Sequence, residues 1–207
     1  MNPAEVYDWL TGAPDLASGD GFDQHVLASI VALAIVETEW GNRAPLTDAV
    51  GLDPHEIVAM AIERFPRVAI DISEAVANGV VTRSDDEACL VDLLRRCAAD
   101  RGALGSRLSR IIARRAQRPN HLWQDLGLRD RGELSSLMQR HFPALAARNR
   151  QDMKWKKFLY RTICRDADYG LCTAPSCAEC DDFAACFGDE SGESLLAHVR
   201  RDAEIRV

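Results

Sequence analysis

The sequence predicts an all-α fold, a multi-helix globule that ends in an irregular, cysteine-rich C-terminal loop. Three observations predict it. Apolar residues recur at three- and four-residue spacings, helix start signals precede several of those stretches, and no window keeps the two-residue alternation of a half-buried strand. Pro3 to Leu10 reads as a short first helix. From Asp23 to Trp40 the chain is apolar nearly all round, which predicts a central helix covered by its neighbours. Asp53-Pro54-His55-Glu56 combines an N-cap acid, proline at the first helical position and glutamate at the third. It opens a helix that runs to about Phe65 and stops at Pro66. A second apolar segment runs from Val68 to about Ala77 and ends at Asn78-Gly79. Ser84-Asp85-Asp86-Glu87 reads as a capping box for a helix through Leu90, Leu93 and Leu94 to about Ala99. Leu104 to Ala116 follows, ending before Pro119. Arg131 to Arg148 carries Leu134, Leu137, Met138 and Phe142 at helical spacing, and Pro143 is expected to kink or split it. Asn149 is expected to cap a helix from Asp152 to Cys164, with Trp155, Phe158, Leu159 and Ile163 as its packed stripe and Lys156, Lys157 and Arg161 facing solvent or the following loop.

Two regions follow from this pattern. Residues 1–150 form a helical domain, and residues 151–207 hold a basic helix, the cysteine-rich loop and a short polar helix over Glu193 to Ile205. The 207 residues suffice for a real core, and 47% apolar with 28% charged side chains excludes a disordered chain. A net charge of −7, from 25 basic and 32 acidic side chains, argues against a nucleic-acid partner. The longest apolar run, Val26 to Val36, is eleven residues where a bilayer span needs about twenty, so no membrane is expected. MNPAEVYDWL lacks a secretory-signal pattern, which predicts a protein of the reducing cytoplasm whose seven cysteines are not a disulfide set. No Ser-His-Asp order, P-loop or dinucleotide fingerprint occurs, so the chain does not read as a conventional enzyme.

Cys172-x4-Cys177-x2-Cys180-x5-Cys186 puts four thiols within fifteen residues, in a stretch (165–192) without helical periodicity. A loop of that length needs something to order it, and a bound metal supplies folding energy that burial does not. Spacing alone leaves three readings open: an iron–sulfur cluster, a structural tetrahedral zinc site, or redox thiols. A second concentration is basic. Arg101, Arg107, Arg110, Arg114, Arg115 and Arg118 have no acid between them, and read either as a solvated helix face or as a local positive field for an acidic partner or oxyanion.

At these residues the sequence resembles the NifQ family of nitrogen-fixation proteins. The resemblance rests on the cysteine array closed by Phe187-Gly188, on Met153-Lys154-Trp155-Lys156-Lys157-Phe158 with Tyr160-Arg161 and Cys164, and on His121-Leu122-Trp123-Gln124-Asp125-Leu126-Gly127-Leu128. It continues through Arg131, Glu133-Leu134, His141-Phe142-Pro143 and Asn149, and more loosely through His25-Val26-Leu27-Ala28 and Phe65-Pro66. The resemblance implies an iron–sulfur metallochaperone, with a cluster of the 3Fe-4S or 4Fe-4S type held by Cys172, Cys177, Cys180 and Cys186. Such a protein acquires molybdenum from molybdate or a molybdenum supplier. It donates the metal, as a molybdenum–iron–sulfur species, to assembly of the nitrogenase iron–molybdenum cofactor, with the assembly scaffold and its reductase partner as the proteins it meets. The alternative is a helical interaction or regulatory module whose four array cysteines hold a structural zinc ion.

Single residues weigh less. Cys164, eight positions before the array, reads as a packed thiol or a substituting ligand. His121 and His141 read as capping or packing residues, or as accessory molybdenum ligands. Cys89 and Cys97 fall on a leucine-bearing helix and carry no assigned role. Glu37 and Glu39 read as a solvated helix end, because a two-residue spacing puts them on different faces.

Overall fold

Asn2 starts the first helix. Its side-chain oxygen accepts the Glu5 N–H at 2.9 Å while the Glu5 carboxylate accepts the Asn2 N–H at 2.9 Å, and Pro3 occupies the first turn of α1 (Pro3–Thr11). The computed structural model describes residues 2–12, 21–38, 45–76 and 81–166 of the chain, with side chains as far as Ile163. Eleven helices and no strand form among these residues. The all-α expectation holds there. The loop over 165–192 lies outside the described residues beyond Asp166, and the terminal helix over 193–205 lies outside them altogether.

Helix α2 (Phe22–Glu37) is the axis of the fold, with twelve of its sixteen residues buried on all sides. Helix α1 packs along it, and two buried polar side chains tie them together. The Tyr7 hydroxyl donates to His25 Nδ1 at 2.8 Å, and His25 Nε2 donates to the Glu133 carboxylate at 3.3 Å. A carboxylate only accepts, so the proton of the neutral ring sits on Nε2 and Nδ1 is left to accept from tyrosine. His25 therefore clasps three helices, and its place in the His25-Val26-Leu27-Ala28 motif is structural.

Helices α3 (Leu46–Val50), α4 (Pro54–Arg64) and α5 (Ala69–Ala75) follow. The capping box predicted at Asp53 and Glu56 is formed, and α4 stops at Phe65 before Pro66. Ser84 Oγ accepts the Glu87 N–H at 3.2 Å to open α6 (Asp85–Cys97), but only half of the predicted box is made. The Glu87 carboxylate turns inward and lies 3.1 Å from Arg114 Nε. Burial, the strongest influence, pushes that carboxyl above its usual range, with Arg114 and Arg83 opposing it.

Helix α7 (Ala103–Ala116) packs on α3 and α6, then α8 (Leu122–Asp125) leads to α9 (Arg131–His141). Between α8 and α9, Gly127 has φ +70°, and a Cβ there would stand 2.7 Å from the Ser29 carbonyl oxygen. Only glycine combines that backbone with so close an approach to α2. Pro143 splits the predicted 131–148 helix into α9 and α10 (Pro143–Ala146), as expected. Helix α11 (Trp155–Asp166) closes the described chain against α6. It starts three residues later than predicted. Asn149 clasps the intervening turn instead of capping the helix, its Oδ1 accepting the Met153 N–H and its Nδ2 donating to the Met153 carbonyl, both at 2.9 Å. No described helix is long and apolar enough to cross a membrane.

Glu133 gives the fold an acid-sensitive clasp. Burial raises its carboxyl, but the hydrogen bonds from His25 and the Arg129 backbone N–H, with the charge of Arg129, outweigh burial and hold it below the ordinary 4.5. A depressed carboxylate adds stability above its unfolded value that is lost as pH falls through the folded one. Glu133→Gln is therefore expected to be less stable than the parent at pH 7, with the gap closing below about pH 4.5 in urea titrations. A gap independent of pH contradicts this reading.

Candidate functional site

The four cysteines of the array, Cys172, Cys177, Cys180 and Cys186, lie outside the described residues, and Cys164 falls within α11 beyond the last described side chain. The structure describes the platform that leads to them. Trp155, Phe158, Leu159 and Ile163 are buried as the spacing predicted, and the rings of Trp155 and Phe158 meet edge to face at 5.8 Å. Lys156 departs from expectation. Instead of facing solvent, its ammonium reaches the buried Asp125 carboxylate and the Arg118 carbonyl. Burial pushes the Lys156 amine down, against the pull of Asp125. Lys157 is exposed.

Asp125 is one corner of a buried polar hub. Its other carboxylate oxygen accepts from Asn120 Nδ2 at 3.1 Å, and its backbone carbonyl accepts from Arg115 Nε. Arg115 has no exposed surface. Its two terminal nitrogens grip Glu37 bidentately at 2.7 and 2.9 Å, and one also donates to the Ala49 carbonyl at 3.3 Å. Arg118 lies 3.6 Å from the same Glu37 carboxylate. Glu37 is thus an anchor and not a solvated helix end, while Glu39 lies outside the described residues.

The rest of the arginine run is answered in the same way. Arg107 grips Glu63, Arg110 bonds Glu56, and Arg114 donates to Asp48 at 3.1 Å and to the Thr82 carbonyl. Arg101, the remaining member of the six, is exposed. The run is neither a solvated face nor an open positive field, because carboxylates on α2, α3 and α4 close five of its charges. Those partners lie 44 to 81 residues away in sequence, from Arg107–Glu63 to Arg118–Glu37, which is why the run looks unopposed when read linearly.

The histidine candidates have defined local roles. His121 is the N-cap of α8, with its ring accepting from the Gln124 N–H and its own N–H donating to Gln124 Oε1 at 3.2 Å. His141 Nε2 meets the Asp23 carboxylate at 2.8 Å. Cys89 is exposed and Cys97 is half-buried against the core, both as free thiols. No group of three or more His, Cys, Asp or Glu side chains suited to a metal ion occurs among the described residues.

Comparison with known proteins shows what kind of chain this platform belongs to. The model of the NifQ family matches residues 26–188, from the start of the buried run in α2 through the last array cysteine. The chain belongs to the NifQ family. Proteins of this family are involved in nitrogen fixation. A NifQ homologue of Sinorhizobium fredii is 42% identical over 173 residues, 84% of this chain and 75% of that protein. The NifQ proteins of Rhodobacter capsulatus and Klebsiella pneumoniae are 51% and 47% identical over 83 and 81 residues. Those stretches cover 40% and 39% of this chain, and 46% and 48% of the two relatives. No solved structure matches the chain.

The hub makes a direct prediction. Arg115→Met leaves the half-buried Glu37 carboxylate without its bidentate partner and the Ala49 and Asp125 carbonyls without this donor, and is expected to lower the unfolding free energy by about 1–3 kcal/mol. Arg101→Ala is expected to change it by less than about 0.5 kcal/mol. Equal losses in urea denaturation contradict the assignment.

Proposed function

We propose that this NifQ-family chain is a molybdenum carrier for assembly of the nitrogenase iron–molybdenum cofactor, holding an iron–sulfur cluster of the 3Fe-4S or 4Fe-4S type through Cys172, Cys177, Cys180 and Cys186. The observation that carries the reading is the family match, which runs through Gly188 and so includes the whole Cys-x4-Cys-x2-Cys-x5-Cys array. The donor set fits the group. Four thiolates and no hard oxygen donor at those positions suit iron and other thiophilic metals. When bound, the cluster supplies sulfide ligands, which let a metal arriving as a hard oxyanion trade oxygen for sulfur.

The remaining work falls to the chain. The array sequence has no helical pattern of its own, so ligation contributes the energy that orders it. Helix α11, which precedes the array in sequence, is docked on the globule by Lys156 and by the Trp155–Phe158 stripe. His121 and His141 serve as helix cap and hydrogen-bond partner of Asp23 and are left out of the proposed ligand set, and Cys164 is kept as the fifth thiol nearest to it in sequence. Molybdate or a molybdenum supplier brings the cargo, and the assembly scaffold with its reductase partner receives it in the reducing cytoplasm. The carrier performs no conventional catalysis.

Chain purified without oxygen is expected to be brown and to contain iron with acid-labile sulfide. Stoichiometric zinc with neither would replace this reading by the structural-clip alternative. Cys180→Ser is expected to lose the iron while its far-ultraviolet circular dichroism keeps the helical signal. Collapse of that signal would mean the array is part of the core and not a carrier appended to it.

A further inference from the structure

Two large apolar side chains stand exposed among the described residues, and both lie at the corner between α4 and α5. Ile62, in the last turn of α4, is 60% exposed, and Ile70, in the first turn of α5, is 75% exposed. Pro66, in the turn that joins the two helices, is exposed as well. Isoleucine is among the residues most often buried, and one exposed example needs no account. Two at one corner, where α5 buries Ala69 and Ile72 on its inner side, leave an apolar face uncovered.

Charges flank Ile70 in a defined order. Arg67 stands two positions before α5, Asp71 follows Ile70, and Glu74 lies one helical turn beyond it, all three exposed. The Arg67 guanidinium lies against Gly12 at the end of α1, and among the described residues none of the three makes an ion pair. The segment is therefore basic where it begins and acidic where it ends, with Ile70 near the middle.

We propose that this corner is a self-association face, covered by the same corner of a second copy of the chain. A twofold axis beside Ile70 sets the two α5 helices antiparallel. Each Ile70 then meets its counterpart, and each Arg67 faces Glu74 of the second copy, so one contact supplies two ion pairs. A parallel arrangement would oppose arginine to arginine and carboxylate to carboxylate. An unrelated partner would have to bring the complementary order of charge itself, whereas a second copy carries it by symmetry. Apolar burial at the centre drives the contact, and the charges choose its orientation. A seven-residue helix with the last turn of another is a small face, which places the dimer in the weak class that buries less than about 1,200 Å². The inference stands apart from the carrier reading, because no residue of the face belongs to α11 or to the cysteine array.

Sedimentation velocity on the full-length chain under reductant, from about 1 μM to about 1 mM, reads the association. A variant with Cys172, Cys177, Cys180 and Cys186 all changed to serine is run beside it. Both are expected to shift toward dimer with concentration, and with equal affinity. Ile70→Glu, and independently Ile62→Glu, are expected to weaken the dimer at least about tenfold, with the far-ultraviolet circular dichroism unchanged because both side chains are exposed. Arg67→Glu and Glu74→Arg are each expected to weaken it about three- to tenfold. Mixed in equal amounts, those two variants are expected to associate as the parent does, since each offers the charge the other lacks, and added salt is expected to erase the recovery. A chain that stays monomeric over the whole range overturns the second copy as occupant and leaves the face to a different protein. Association that ignores both isoleucine variants, or that disappears with the array cysteines, overturns the face. Mixing without recovery overturns the antiparallel pairing.

Discussion

The architecture turns on one guanidinium, Arg115, which has no contact with water and still meets a partner at each of its three nitrogens. Removing a cation from water costs several kcal/mol, and only complete pairing offsets that. The partners come from three places: the Glu37 carboxylate at the end of α2, the carbonyl of Ala49 in α3 and the carbonyl of Asp125 in α8. A hydrophobic side chain of similar volume would tolerate a small shift of any of these elements. A bidentate ion pair does not, so the geometry of the hub fixes their register. Asp125 then passes the constraint to Lys156, and the orientation of α11 follows from a residue of α7.

Charge in this chain is consequently divided into two populations. The α7 arginines are spent within the fold, each on a distant carboxylate, and they shape it. Arg148 and Arg150, after α10, stand exposed instead. Composition merges the two populations into one number, and the net charge of −7 conceals both.

Much of the fold could be read linearly because its signals are local. Asp53-Pro54-x-Glu56 marks a helix start by chemistry complete within four residues, and Pro143 splits a helix by lacking one N–H. What escaped prediction depends on distance. The short helices α3 and α8 have too few turns to show a period, and α3 exists because Leu46, Ala49 and Val50 are covered by α2 and α7. The Glu87 side chain leaves its cap for Arg114, a partner 27 positions on, and Lys156 turns inward for Asp125. His25 appeared only as part of a weak motif, yet it links Tyr7 to Glu133 across three helices. The array of cysteines is the reverse case. Its pattern is legible in sequence, and the family match covers it, while its geometry lies outside the described residues.

The central claim is that these cysteines gather iron, sulfide and molybdenum into a common centre. X-ray absorption at the iron and molybdenum edges tests it most directly, on full-length chain isolated without oxygen from cells supplied with molybdate. The account predicts sulfur in the first shell of both metals and iron in the second shell of molybdenum. Molybdenum surrounded by oxygen alone, or no iron with zinc in its place, would contradict it.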